Sequence, residues 1–304
     1  MATVRDLLEP AVARLRASGS PSPRLDAELL LGSVLGVDRS AVLAHPEAPV
    51  GTGQAAALAS AVARRERGEP VAYIRGVKEF YGLAFRADPR ALIPRPETEL
   101  LVDLAQAWVR ARLTAAPRAP DAPPLVVLDV GTGSGAIAVA LAVTLRRRGY
   151  GGAVHLLATD ISAEALGLAV ENAVGHGVAD AIDFQRADLL EGLAVGPPGT
   201  VDLLVANLPY VPRADLPDLP VAASFEPAIA LDGGDDGSHV IERLLRGLEH
   251  VVTPDGSALL EIGDGQLGHV RALVSERLPG WTSVAHDDLG GTPRVLELAR
   301  GRRP

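Results

Sequence analysis

The chain has 304 residues, 47% of them apolar, and a formal net charge of −9. That length suits one large α/β domain beside a smaller one, with ample material for a core, while the acidic balance disfavours a broad nucleic-acid surface, which needs Lys and Arg against phosphates. Cysteine is absent and the seven histidines are scattered, which excludes disulfides, thiolate chemistry and any obvious metal centre; with no long apolar run and no signal-peptide pattern, the expected location is the cytoplasm.

Apolar residues at Val4, Leu8, Val12 and Leu15 have helical spacing and predict a helix to about Ser18. A second helix is expected from Leu25 to Leu35, stopped by Gly36, and a third from Gln54 to Arg67, stopped by Gly68. Asp38 and Ser40 are candidate caps for a short helix through Leu43. No strand pattern and no chemistry is visible here, so residues 1–70 read as a small helical bundle. From Glu69 to Asp88 the composition turns β-branched and aromatic around Gly76 and Gly82, and predicts a hairpin joining two domains. Tyr73, Phe80, Tyr81 and Phe85 fall in it, read as a packed hinge over 71–92. Pro94 and Pro96 then hold an extended segment, and Glu97 opens the helix that runs to Val109, well placed against its dipole. Ala115–Pro124 reads as a proline-rich surface connection, and Arg300, Arg302 and Arg303 as a solvated tail.

The stretch VVLDVGTGSGAIAVAL, Val126 to Leu141, reads as strand, tight turn, helix. Gly131, Gly133 and Gly135 allow positive φ and the approach of a ligand to bare backbone, where helix-starting amides point at it. Strands and helices then alternate: strand 154–159 to Asp160, helix 163–174, strand 182–185 before Asp188, strand 201–206 into Asn207-Leu208-Pro209-Tyr210, helix 238–250, strand 258–262, helix 267–278, and strands near 282–286 and 294–298. Such alternation predicts a mostly parallel sheet covered on both faces. A second glycine turn, Gly263-Asp264-Gly265-Gln266-Leu267-Gly268, matches G-x-G-x-x-G but leaves too little chain behind it for a dinucleotide half, and reads as packing.

At a strand end downstream of the first turn, Asp160 can accept from both hydroxyls of a ribose, and Asp188 can meet an adenine edge. Together these describe a site for an adenosine with a small polar tail. At the carboxyl end of the next strand, Asn207 Oδ1 and the Leu208 carbonyl can accept the two N–H bonds of a planar NH2 group; Pro209 stiffens the loop and Tyr210 offers a flat face.

These segments resemble the S-adenosylmethionine-dependent methyltransferases, and among them the HemK-type (PrmC-like) glutamine N5-methyltransferases of peptide-chain release factors. The resemblance runs through LDAELLLGSVLG, PVAYIRGVKEFYGLAF, LIPRPETELLVD, LDVGTGSGAIAVAL, ATDIS with Asn172 downstream, the Asn-x-Pro-Tyr loop, FEPAIALDGGDDG and LLEIGDGQ. It implies an α/β Rossmann-like methyltransferase sheet at 93–304, with helices on both faces, joined by the hairpin to a helical domain that helps recognise the release factor. It implies S-adenosylmethionine as cofactor and S-adenosylhomocysteine as product. Asp129, Gly131, Thr132, Gly133, Ser134 and Gly135 would serve its methionine portion, Asp160 and Ile161 the ribose side, and Asp188 with Leu189 the adenine. Asn207, Leu208, Pro209 and Tyr210 would hold the glutamine amide.

Two departures bear on the acceptor. Leu208 stands where the family usually has the first proline of Asn-Pro-Pro-Tyr, and Pro220-Val221-Ala222-Ala223-Ser224 replaces a PEVR-like run. The acceptor readings are therefore a release-factor glutamine first, a guanidino or amide nitrogen of a free amino acid second, and adenine N6 third. From other classes, a nicotinamide dehydrogenase would use the later glycine turn, and a non-catalytic scaffold would bind cofactor without turnover.

Overall fold

The computed structural model describes residues 1–115, 122–193 and 199–300. Most of the proline-rich connection, and Arg302 and Arg303, lie outside them. The chain divides into two compact units, one of 1–78, 87–89 and 219–226, the other of 79–86, 90–218 and 227–304.

The first unit is helical: α1 (Val4–Ala17), α2 (Pro23–Leu35), α3 (Arg39–Ala44), α4 (Thr52–Glu66) and α5 (Val71–Arg75). Thr3 caps α1 in a reciprocal box with Asp6, and Gly36 ends α2 in the left-handed conformation, φ 70°. Asp38 alone caps α3, accepting from Ala41 N at 2.7 Å, whereas Ser40 lies inside the helix. Leu15, Leu30, Leu31 and Val62 fill the core. Two features differ from the sequence expectation. Ala2–Thr3 (β1) pairs antiparallel with Pro49–Val50 (β2), too short a ladder to leave a pattern. Val71–Arg75 is a helical turn between Pro70 and left-handed Gly76, so the hairpin begins only at Val77. Residues 219–226, which the sequence reading places in the larger domain, fall in this unit, and Gly68, at φ +94°, admits Val221 closely: a Cβ there would lie 2.5 Å from Val221 Cγ1.

The hairpin consists of β3 (Val77–Phe80) and β4 (Leu83–Arg86), turned at Tyr81 and Gly82, both with positive φ. Phe80 and Phe85 meet edge to face and are buried in the second unit's core. The second unit continues with α6 (Glu99–Thr114), β5 (Leu125–Val130), α7 (Ala136–Arg147), β6 (Val154–Asp160), α8 (Ala163–Gly175), β7 (Ile182–Arg186) and β8 (Val201–Ala206). It ends with α9 (His239–Val251), β9 (Val252–Glu261), α10 (Leu267–Arg277), β10 (Trp281–Asp287) and β11 (Pro293–Arg300).

Its seven strands run β10-β11-β9-β8-β5-β6-β7, parallel from β9 to β7, with β11 inserted antiparallel between β9 and β10. Alternate residues face opposite layers: Leu203 and Val205 pack with α6 and α7, and Leu204 and Ala206 pack with α9 and α10. Arg300 is no solvated tail; it closes β11, donates to Glu249 O and Val252 O, and lies over the Trp281 ring. Among the described residues, no helix is long and apolar enough to cross a membrane. Strand order reverses at β5, between β6 and β8, and the crevice at the carboxyl ends of such strands is where open α/β sheets bind ligands.

Candidate active site at the carboxyl edge of the sheet

A cavity of about 370 Å3 opens at that reversal, walled by the glycine turn, the ends of β6 and β7, the loop after β8, and segments 90–98 and 227–232. The three glycines of the turn all have positive φ, for three different reasons. A Cβ on Gly131 would lie 3.0 Å from Leu208 Cδ2, and one on Gly135 would lie 3.0 Å from Ala169 Cβ and 3.1 Å from its Cα. Gly133 faces open space, with nothing nearer than Ala91 Cβ at 4.0 Å. Gly131 thus admits the loop after β8, Gly135 lets α7 sit on α8, and Gly133 leaves backbone bare toward the cavity.

Two aspartates brace this turn. Asp129 is 2% exposed and stands behind it, accepting from Thr132 Oγ1 at 2.7 Å and Ala138 N at 3.2 Å, with Oδ1 unpartnered. Burial pushes its pKa up to about 7. Asp160 lies on the cavity wall, its carboxylate accepting from Gly133 N and Ser162 N, each at 2.9 Å; burial raises its pKa as well. Ser162 caps α8 by itself, accepting from Ala165 N, which leaves Asp160 free for the turn and the cavity.

Thr132, Ser134, Ile161 and Leu189 also line the cavity, as do Asp188, Asn207, Leu208 and Pro209. Asp129, Gly135 and Tyr210 are not on its wall. Leu189 holds φ +56°, unusual for a residue with a side chain. Asp188 pairs with Arg243 of α9 at 2.8 Å, a cationic partner on the wall that the sequence does not single out.

The loop after β8 is held from two sides. Asn207 Nδ2 donates to Thr98 Oγ1 at 2.9 Å, and the Thr98 hydroxyl is hydrogen-bonded to Glu261 at the end of β9. Glu261 is 2% exposed, and burial pushes its pKa up to about 7. On the other side, Gln266 Nε2 donates to Tyr210 O at 2.9 Å while its Oε1 accepts from Gly263 N at 2.9 Å. A Cβ on Gly237 would come within 2.4 Å of Tyr210 O, and one on Gly233 within 2.8 Å of Tyr210 Cα. The second glycine turn therefore packs, as its spacing suggests, and Gln266 within it clamps the loop after β8. Burial, with the nearby Glu261 charge, pushes the Tyr210 pKa up to about 12. Thr98 lies in the quoted IPRPETE run, and Glu261 and Gln266 in LLEIGDGQ; only their juxtaposition with Asn207 was invisible. No cluster suited to a metal ion exists among the described residues.

Residues 6–76 match the PrmC N-terminal domain, and 127–223 match a methyltransferase domain. The release factor glutamine methyltransferase of Koribacter versatilis is 38% identical over 99% of this chain and 99% of its own. That of Rhodopirellula baltica is 35% identical over 98% of this chain and 96% of its own. The chain belongs to the release factor glutamine methyltransferase family. The hMettl16 catalytic domain shares the fold at TM-score 0.53 and 13% identity, covering 82% of each chain. In this release factor glutamine methyltransferase family member, Leu208 is 4% exposed and packs among Leu204, Ile241 and Leu245, filling core space while its backbone carbonyl stays in the loop.

Proposed function

We propose that the protein transfers the methyl group of S-adenosylmethionine to the side-chain amide nitrogen, N5, of a glutamine in a peptide-chain release factor, releasing S-adenosylhomocysteine. The observation that carries the reading is the tethered Asn207 amide. With Nδ2 engaged by Thr98, Oδ1 is left as an acceptor at a cavity rim that also holds bare glycine backbone and two carboxylates. This donor and acceptor set fits the cofactor. Gly133 leaves room for its methionine portion, the Asp160 carboxylate suits ribose hydroxyls, and Asp188 with Leu189 suits the adenine.

The bound cofactor supplies an electrophilic methyl on a sulfonium. The protein's residues make the weak amide nucleophile competent. Asn207 Oδ1 and the Leu208 carbonyl accept its two N–H bonds, draw charge from them as the new bond forms, and hold the nitrogen in line. Pro209 stiffens the loop, and Gln266, donating to the Tyr210 carbonyl, holds it in place. No strong base is required, because the N-methylated, still protonated amide is a strong acid and releases its proton after transfer.

Residues 1–70 are assigned to recognising the release factor, which their match to the PrmC N-terminal domain supports. The full-length relatives named as release factor methyltransferases favour that acceptor over a free amino acid, and the net charge of −9 disfavours adenine in nucleic acid. A release-factor substrate also implies a cytoplasmic location. The test is labelled-methyl transfer, with release factor and a panel of free amino acids run in parallel. Label is expected on the release factor; label confined to free arginine or glutamine would overturn the reading.

A further inference from the structure

We infer that Glu261, acting through Thr98, fixes which end of the Asn207 side-chain amide faces the acceptor, and is thereby a positioning residue for methyl transfer. This inference rests on the amide clamp proposed above and adds the device that gives the clamp its polarity.

An asparagine amide is nearly symmetric in shape but not in hydrogen bonding: one end only accepts, the other only donates. For Asn207 to accept from a substrate NH2 its own NH2 must point elsewhere, and Nδ2 donates to Thr98 Oγ1 at 2.9 Å. A hydroxyl has a single proton. While Oγ1 receives from Asn207, that proton is free for the hydrogen bond to Glu261. An ionised carboxylate can only accept, so the chain runs one way, from Asn207 through Thr98 to Glu261. A protonated carboxyl or a glutamine at 261 can donate to Oγ1 instead. The Thr98 proton is then released toward Asn207, which favours Oδ1 on Thr98 and turns the NH2 toward the substrate, donor against donor.

Glu261 has a setting unusual for a carboxyl group. It is 2% exposed, and its Oε2 has no hydrogen-bond partner, a costly arrangement that a neutral side chain would relieve. The charged and titratable groups facing it are Arg95 and Glu97 from the segment before α6, Arg294 from β11 and Tyr210 from the acceptor loop. Burial and Glu97 favour the neutral form; Thr98, Arg294 and Arg95 favour the charged one, and the balance lies at about 7. The relay therefore titrates near neutrality, with its productive direction on the alkaline side.

The experiment follows the Asn207 side-chain NH2 in 1H–15N spectra of the full chain from acid to alkaline pH, assigned by its loss in Asn207→Asp, beside methyl transfer and cofactor affinity. In the parent protein the amide signal is expected to shift with an inflection near pH 7, kcat to rise through it, and cofactor affinity to stay flat. Glu261→Gln should abolish the inflection and lower kcat about tenfold or more, with cofactor affinity within about twofold. Thr98→Val, which cuts the relay without touching the carboxyl, should do the same, and Thr98→Ser should restore both. An amide signal indifferent to pH and to Glu261→Gln, or unchanged kcat in Glu261→Gln and Thr98→Val, would overturn the inference. A parent protein that methylates no release factor would instead overturn the proposed acceptor, and the amide spectra would still decide the relay.

Discussion

At the residue scale, the proposed mechanism divides binding from chemistry between the carboxyl ends of β6 and β8, the two strands that flank β5. Asp160 ties down the glycine turn on the cofactor side, and Asn207 is tethered on the acceptor side. Asn207→Ala is expected to lower kcat about 100-fold or more, the scale of losing one preorganised polar group, with the cofactor Kd within about twofold by calorimetry. Asp160→Ala should weaken cofactor binding first; equal loss of both properties in both variants would contradict the division. Asp129 offers a pH test. Its folded pKa, about 7, stands above its ordinary value of 3.8, so the folded chain holds an extra proton between those values. Stability from this group is fully present below the lower value and lost as pH rises through the upper one. Asp129→Asn, immune to that loss, should gain on the parent protein by on the order of 3 kcal/mol between pH 4 and pH 8 in denaturant melts. A constant difference across that range would refute it. That Asp160, Asp188 and Asn207 come together around one cavity was legible because each stands at the carboxyl end of a strand. The contact of Thr98 with Asn207 was not, because it exists only once segments 109 residues apart are brought together.

At the element scale, the alternating strands and helices of the second unit were readable from period and punctuation, and most boundaries fall within a few residues of those expected. What escaped is non-local or short. The β1–β2 pair has only two residues per strand. The α5 turn is hidden by β-branched and aromatic composition that suits a strand equally well, and the antiparallel β11 depends on which gap in the sheet it enters. The glycine turn supplies a prediction at this scale. Gly135→Ala places a methyl about 3.0 Å from Ala169 at φ +79°, so the α7–α8 contact must open and the melting temperature should fall by several degrees, about 2–3 kcal/mol. Gly133→Ala meets only the backbone strain, about 1 kcal/mol, and should damage cofactor binding more than stability. The reverse ranking in paired melting and binding measurements would show that the two glycines have been assigned the wrong jobs.

At the scale of the whole molecule, a helical unit matching the PrmC N-terminal domain accompanies a methyltransferase sheet whose cavity is built within the second unit alone. The departures at Leu208 and Pro220–Ser224 prove to be of different kinds. Leu208 spends its side chain on the core and keeps its carbonyl in the acceptor loop. Val221 packs on Gly68 within the helical unit, so that segment contributes structure. The Leu208 substitution leaves the backbone carbonyl of the Asn-x-Pro-Tyr loop in place. The proposed reaction is methyl transfer, directed by the tethered Asn207, to a glutamine side-chain nitrogen of a release factor. It is tested most directly by fragmentation mass spectrometry of release factor incubated with the protein and S-adenosylmethionine. One added methyl is expected on the side-chain nitrogen of a glutamine, and none when Asn207→Ala is used. A methyl on any other residue type, or one that persists undiminished in Asn207→Ala, would contradict it.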